Sequence, residues 1–178
     1  MHQQIIEFWF IEIGKSKWFA KDELLDQDIR ARFSAVHAQA INCELWRWRS
    51  TPLGSLAEII ILDQFSRNMY RGEAPSFTYD ALALALAQNA IAKGFDVELN
   101  EQQRSFMYMP FMHSESLAIH EEAIKLFTEL GRKANLNSER KHQAIIEKFG
   151  RYPHRNEVLG RSSTAQEQAF LLSPGSGF

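Results

Sequence analysis

Ala81-Leu82-Ala83-Leu84-Ala85-Leu86-Ala87 is the stretch on which the fold class turns. Its alternation of small and large apolar residues has the two-residue period of a strand. Its residue types do not. Alanine and leucine are strong helix formers, and the β-branched and aromatic residues that suit a pleated strand are missing from it. The segment therefore reads as a helix. With alanine and leucine on every side, it is expected to be a central helix packed closely on several faces. Gly94 supplies its C-terminal stop.

Helical periods extend on both sides of it. Leu25, Ile29, Phe33, Val36 and Ala40 recur at spacings of four and three, one face of a helix from about Asp22 to about Asn42. Thr51-Pro52 places an N-cap before a proline at the first helical position. The helix that follows carries Leu56, Ile59, Ile60 and Leu62 and fades near Met69, before a loop at Arg71-Gly72-Glu73-Ala74-Pro75. Asn100 and Gln103 have the spacing of a capping box. Pro110 interrupts that segment and is expected to open a new helix, lined by Leu117, Ala123, Ile124, Phe127 and Leu130 and ended near Gly131. Further helices are expected from about Ser138 to Phe149 and from Thr164, where Glu167 completes a second capping box. Nothing reads as a strand and no shift in composition marks a linker. The expectation is an all-α chain, a multi-helix array or bundle. It forms one domain over residues 1–172, with a tail at 173–178 that contains Ser173-Pro174-Gly175-Ser176-Gly177.

Composition excludes several classes. At 178 residues the chain can bury about two thirds of its unfolded surface. Its 45% hydrophobic and 24% charged residues are those of a globular protein. A net charge of −2 and a pI near 6.3 give no global attraction to nucleic acid or anionic lipid, so neither is expected as a partner. The single cysteine, Cys43, rules out an intramolecular disulfide and any multi-cysteine metal site. Met1-His2-Gln3-Gln4 lacks the basic start of a signal peptide, and Glu7 and Glu12 interrupt the apolar run behind it. The uncharged stretch from Phe106 to Met112 is too short for a bilayer. The expected location is cytoplasmic. All four tryptophans, Trp9, Trp18, Trp46 and Trp48, fall in the first 48 residues. They are read as anchors of the N-terminal segment, with an exposed partner surface as the alternative.

Polar chemistry concentrates in three segments: Leu62-Asp63-Gln64-Phe65-Ser66-Arg67-Asn68-Met69-Tyr70-Arg71, Met109-Pro110-Phe111-Met112-His113-Ser114-Glu115, and Phe149-Gly150-Arg151-Tyr152-Pro153-His154-Arg155-Asn156 with Leu159-Gly160-Arg161-Ser162-Ser163 behind it. Together with Phe8-Trp9-Phe10, these segments resemble the bacterial family known as domain of unknown function 924, in an order and spacing that cover nearly the whole chain. The resemblance implies a helical fold grouped with tetratricopeptide-like arrays. It implies no activity, substrate or catalytic residue. No 34-residue tetratricopeptide signature accompanies it.

The first and third segments echo one another. Asp63-x-Phe65-x-Arg67-x-x-x-Arg71 matches Glu147-x-Phe149-x-Arg151-x-x-x-Arg155. Each acid and its first arginine, four apart, would be neighbours on a helix, near a C-terminal end where a cation is favoured. Two roles fit these residues. They can be ion pairs that pin the ends of helices. Alternatively Arg67, Arg71, Arg151, Arg155 and Arg161, helped by Asn68, His154 and Asn156, converge on one anion, since guanidinium forks suit carboxylate or phosphate.

Metal and covalent chemistry find less support. His113 and His120 share a helical face, with Glu115, His142 and His154 as further ligands for a metal. However, His120-Glu121-Glu122-Ala123-Ile124 lacks the second histidine of the zinc-protease pattern, and a histidine beside Leu117 and Ile124 reads as a hydrogen-bonded core residue. No metal and no cofactor are expected. Gly14-Lys15-Ser16 lacks the upstream glycine of a phosphate loop, where Trp9 stands, and no nucleophile elbow occurs. Two functions remain. The first is a helical binding module with an arginine- and histidine-lined pocket for a small anion or an acidic peptide end. The second is a small hydrolase-like enzyme with His113 or His154 as acid/base, oriented by Asp63 or Glu115, and arginines that stabilise developing charge. Oligomeric state is not legible in the residues.

Overall fold

The computed structural model describes residues 1–176, so Gly177 and Phe178 of the expected tail lie outside the described residues. Among the described residues all regular structure is helical and no strand occurs. None of these helices is long and apolar enough to cross a membrane. The backbone gathers into two compact units. One comprises Met1–Arg71 with Pro75–Pro110, the other Gly72–Ala74 with the chain from Phe111 onward.

In the first unit, α1 (His2–Glu7) runs into a π-helical turn at Phe8–Glu12. The next helix, α2 (Glu23–Ile41), begins where Asp22 Oδ1 accepts from the N–H groups of Leu24 and Leu25, both at 3.1 Å. That cap satisfies two of the donors a helix start leaves open. Leu25, Ile29, Phe33, Val36 and Ala40 are all buried, as their spacing requires. Thr51 Oγ1 accepts from Gly54 N at 3.2 Å and starts α3 (Pro52–Ile60). This helix continues through a π turn, Ile61–Phe65, into α4 (Ser66–Met69).

The stretch from α3 to α4, rather than the alanine–leucine segment, is the centre of the unit. Every residue from Gly54 to Ser66 is buried. After the short α5 (Pro75–Thr78), α6 (Asp80–Ala92) buries only Ala83, Ala87 and Ala90, while Leu82, Leu84 and Leu86 are half-buried. The physical reason is close approach. Alanines at spacings of four and three put a flat face against α3, and the leucines beside that face are left partly in solvent.

Asn100 and Gln103 form the expected capping box. Asn100 Oδ1 accepts from the N–H groups of Gln102 and Gln103, and Gln103 Oε1 accepts from Asn100 N. They open α7 (Glu101–Met112), which contains Pro110 within its last turn rather than a new helix beginning there. A proline removes one internal hydrogen bond, and this helix stops two residues later. The tryptophans divide. Trp9 is wholly buried, and Trp18 packs on it and donates from Nε1 to Trp9 O at 2.8 Å. Trp48 is half-buried, and Trp46 is 61% exposed, with the Arg47 guanidinium 5.2 Å from its ring.

In the second unit, α8 (Leu117–Leu130) starts after extended Ser116 and ends on Gly131, whose φ of +74° is easy only for glycine. Packed on it is α9 (Lys133–Phe149), ended by Gly150 at φ +69°. It begins five residues before Ser138, because Lys133 to Asn137 carry little apolar period yet contain no breaker. Ile145, Ile146 and Tyr152 are buried together, with Phe149 and Phe170 packed against them. A 3-10 turn at Pro153–Arg155 follows, then α10 (Ala165–Leu171), which has the reciprocal Thr164–Glu167 capping box.

Candidate functional site

The first motif sits on the π turn and α4. Asp63 is 1% exposed, and Arg67 Nη1 lies 3.1 Å from its Oδ1 and donates to its backbone O at 2.7 Å. The same guanidinium forks onto Asp80, with both contacts at 2.9 Å. Asn68 Nδ2 donates to Asp26 Oδ1 at 2.7 Å, and Arg71 grips both oxygens of Asp26 at 2.6 and 2.8 Å. Within the first unit, Arg67, Asn68 and Arg71 thus tie the central helix to α6 and α2. Asp26 and Asp80, which no motif reading singled out, are their acceptors.

The remaining candidates belong to the second unit, where they collect around Tyr152. Its ring is buried, with the Arg155 guanidinium 4.5 Å above it and the His154 ring 5.5 Å away. Arg155 is 6% exposed and donates from Nη2 to His113 O at 3.0 Å. Tyr152 N donates to Glu115 Oε1 at 2.7 Å, and Tyr152 O accepts from Arg161 Nη2 at 3.1 Å. Arg161 forks onto Glu115 at 2.6 and 2.9 Å, and its Nε donates to Asn156 Oδ1 at 2.9 Å. Asn156 Nδ2 in turn donates to Ser163 Oγ at 3.1 Å.

Arg151 faces a different acid. Its Nε and Nη2 fork onto Glu167 at 2.6 and 2.8 Å, and Nη2 also donates to Ser162 O. The sequence echo is therefore not repeated in space. Asp63 does pair with Arg67, whereas Glu147 is exposed and Arg151 turns to Glu167. Glu167 also takes Thr164 N at 2.7 Å. The Arg151 hydrogen bond and the Thr164 N–H together outweigh burial and hold its carboxyl down at about 2.

Glu115 shows the sign of the local field. Burial pushes its carboxyl up, but the Arg161 fork, the Tyr152 N–H and the charges of Arg161 and Arg155 prevail and hold it below the usual carboxylate range. It is committed to Arg161 and Tyr152 rather than to a histidine. The carboxylate that does meet an imidazole is Glu139, whose Oε1 lies 2.6 Å from His120 Nδ1, with both side chains wholly buried. His120 Nε2 is 2.9 Å from Ser114 O and 3.2 Å from Tyr152 Oη. His120 is thus the hydrogen-bonded core histidine its apolar neighbours indicated. His142 sits on the same helix as Glu139, its ring 5.7 Å from that of Tyr152 and 6.5 Å from that of His113. Among the described residues, no group of three or more histidine, cysteine or acidic side chains is placed to hold a metal ion.

These elements define an all-α protein whose C-terminal motif builds a cation-rich corner about one buried tyrosine. The chain belongs to the family described as bacterial protein of unknown function (DUF924), whose model matches residues 5–175. Its fold is similar to that of a solved protein of unknown function from Agrobacterium tumefaciens. The two are 38% identical, with 96% of each chain covered and a TM-score of 0.92. No protein with a curated description matches the chain.

Proposed function

We propose that the second unit is a helical binding module that receives a small anion or the acidic end of a peptide at the corner formed by His113, His154, Arg155 and Arg161. Asn156 positions Arg161 there. The observation that carries this reading is Glu115, a half-buried carboxylate that the corner nonetheless keeps ionised. A site that stabilises one carboxylate through a guanidinium fork and a backbone N–H is chemically suited to another. Asp80 and Asp26 take up the forks of Arg67 and Arg71, and Glu115 takes up that of Arg161, so a ligand carboxylate or phosphate binds Arg161 by replacing Glu115 in its fork. The hydrolase-like alternative, with His113 or His154 oriented by Asp63 or Glu115, is the weaker one, since Glu115 engages Arg161.

Thermal melts test this. Phosphate, citrate and an acidic peptide with a free C-terminus are each added to the full chain. Ligand at a hundred times Kd adds about 2.7 kcal/mol, which for a chain of this size is a rise of about 5–10 °C. Arg161→Lys and Arg155→Lys, which keep the charge but lose the planar fork, are expected to abolish most of the rise. A melting temperature unmoved by every ligand overturns the proposal, and so does a rise that both variants retain in full.

A further inference from the structure

Tyr152 is held by groups whose protonation states can be assigned from their partners. Its hydroxyl donates to Met112 O at 2.5 Å, so towards His120 it can only accept. Ser114 O is also an acceptor, and His120 Nε2 must therefore carry the hydrogen that serves both. One proton is then left for the contact between His120 Nδ1 and Glu139 Oε1. Among the described residues Glu139 Oε2 is buried with no hydrogen-bond partner, a position in which a negative charge is costly and a neutral carboxyl is not. Burial accordingly pushes the Glu139 carboxyl above its ordinary range.

His142, one turn further along α9, faces the opposite constraint. Its Nδ1 lies 2.8 Å from Ser138 O and its ring packs edge-on against Tyr152. A proton on its other nitrogen would bury a cation in a setting that already contains His113, His120, His154 and, across the Tyr152 ring, Arg155. Burial, with the charges of His113, His120 and His154, holds it down at about 3. Glu115 and Arg161 complete the charged groups around Tyr152, and they neutralise one another.

We propose that Glu139 and His142, on one face of α9, form a two-sided proton catch. At intermediate pH the catch grips Tyr152 and the Met112–Glu115 segment, and it releases them when either group becomes charged. The closed arrangement accommodates both groups only as neutral species. Acid protonates His142 and alkali ionises Glu139. Either charge is better hydrated once the segment opens, so opening rises on both limbs of the pH profile. For His142 the sign follows from a closed-state value below its ordinary 6.5. Between pH 7.5 and 5, protonation of His142 in the open state, taken by itself, multiplies the opening equilibrium by about thirtyfold. For Glu139 the sign is reversed: closure weakens as pH rises from the ordinary 4.5 to its elevated value, so between 4.5 and 6.5 the two groups oppose one another.

The test is amide hydrogen exchange of the full chain between pH 5 and 9, corrected for intrinsic rates and read on peptides that cover 112–115 and 152–155. Wild type compared with His142→Phe isolates the acid limb, and wild type compared with Glu139→Gln isolates the alkaline limb. The ratio of wild-type to His142→Phe opening is expected to rise roughly thirtyfold from pH 7.5 to 5, and Glu139→Gln, in which His142 titrates alone, to show that acid loosening directly and no alkaline one. If a variant fails to fold, carboxyl and imidazole NMR titrations of wild type read the two groups directly. A Glu139 that titrates at or below its ordinary 4.5, or a His142 that titrates near 6.5, overturns the catch. Limbs that each variant leaves unchanged overturn it as well.

Discussion

Glu115 and Arg161, 46 residues apart, meet through a two-point fork of 2.6 and 2.9 Å that closes the turn after α9 onto the start of α8. Both side chains are about a quarter exposed, so the pair is screened less than a surface ion pair. Arg161→Ala leaves Glu115 half-buried with only the Tyr152 N–H, and is expected to cost about 1–3 kcal/mol in urea unfolding. A double-mutant cycle with Glu115→Ala should give a coupling above about 1 kcal/mol. A coupling near zero would reduce the fork to an ordinary surface contact.

Gly54 makes a sharper prediction about the start of the central helix. A Cβ built there would lie 2.2 Å from the backbone oxygen of Trp48, a group that cannot swing away. Glycine to alanine within a helix normally gains about 0.5–1 kcal/mol. Here the 3-10 turn Trp46–Ser50 and α3 must separate, and Gly54→Ala is expected to lose more than about 2 kcal/mol. A melting temperature equal to or above wild type would show that the two elements are not packed this closely.

Glu167 predicts a pH dependence with a definite sign. Its carboxyl is held at about 2 by the Arg151 hydrogen bond, then by the Thr164 N–H, against an ordinary 4.5. A depressed carboxylate stabilises the fold above its unfolded value, and the benefit is lost as pH falls through its folded value. Wild type should therefore exceed Glu167→Gln in urea midpoint at pH 6, and the gap should close between about pH 4.5 and 2. A gap of constant size down to pH 2.5 would mean that the contribution is not ionic.

Legibility in the sequence followed the range of the interaction. The face Leu25, Ile29, Phe33, Val36 and Ala40 was readable because one stripe of α2 is buried and the period records it. The Asn100 and Thr164 caps were readable because both halves of each box lie within three residues. The alanine–leucine segment was correctly helical but misplaced at the centre. Uniform apolarity carries no phase, and only packing shows that its alanines face inward. The same limit governs the site. The spacing of Asp63 and Arg67 foretold their pair, but equal spacing misassigned Arg151, because Glu167 sits 16 residues on and competes successfully. Tyr152 lies within the third motif, but nothing in its neighbours along the chain marks it as the hub, and Glu139 carries no local signal beyond its spacing from His142.

The tryptophans allow a last prediction that separates burial from exposure in the N-terminal segment. Trp9 is wholly buried and shares a ring cluster with Trp18, Phe65 and Phe106, while Trp46 is 61% exposed on a 3-10 turn. Fluorescence quenching by acrylamide should accordingly be dominated by Trp46. Trp46→Phe is expected to remove most of the quenchable emission and to change stability by less than about 0.5 kcal/mol, as an exposed substitution does. Trp9→Phe, which leaves a gap beneath Trp18, should cost about 1–3 kcal/mol and leave the quenchable fraction intact, since ring loss in a close-packed core is not recovered by relaxation. If Trp46→Phe instead destabilised the chain as much as Trp9→Phe, the turn at Trp46–Ser50 would have to be an anchor, and the exposed indole would need a covering surface.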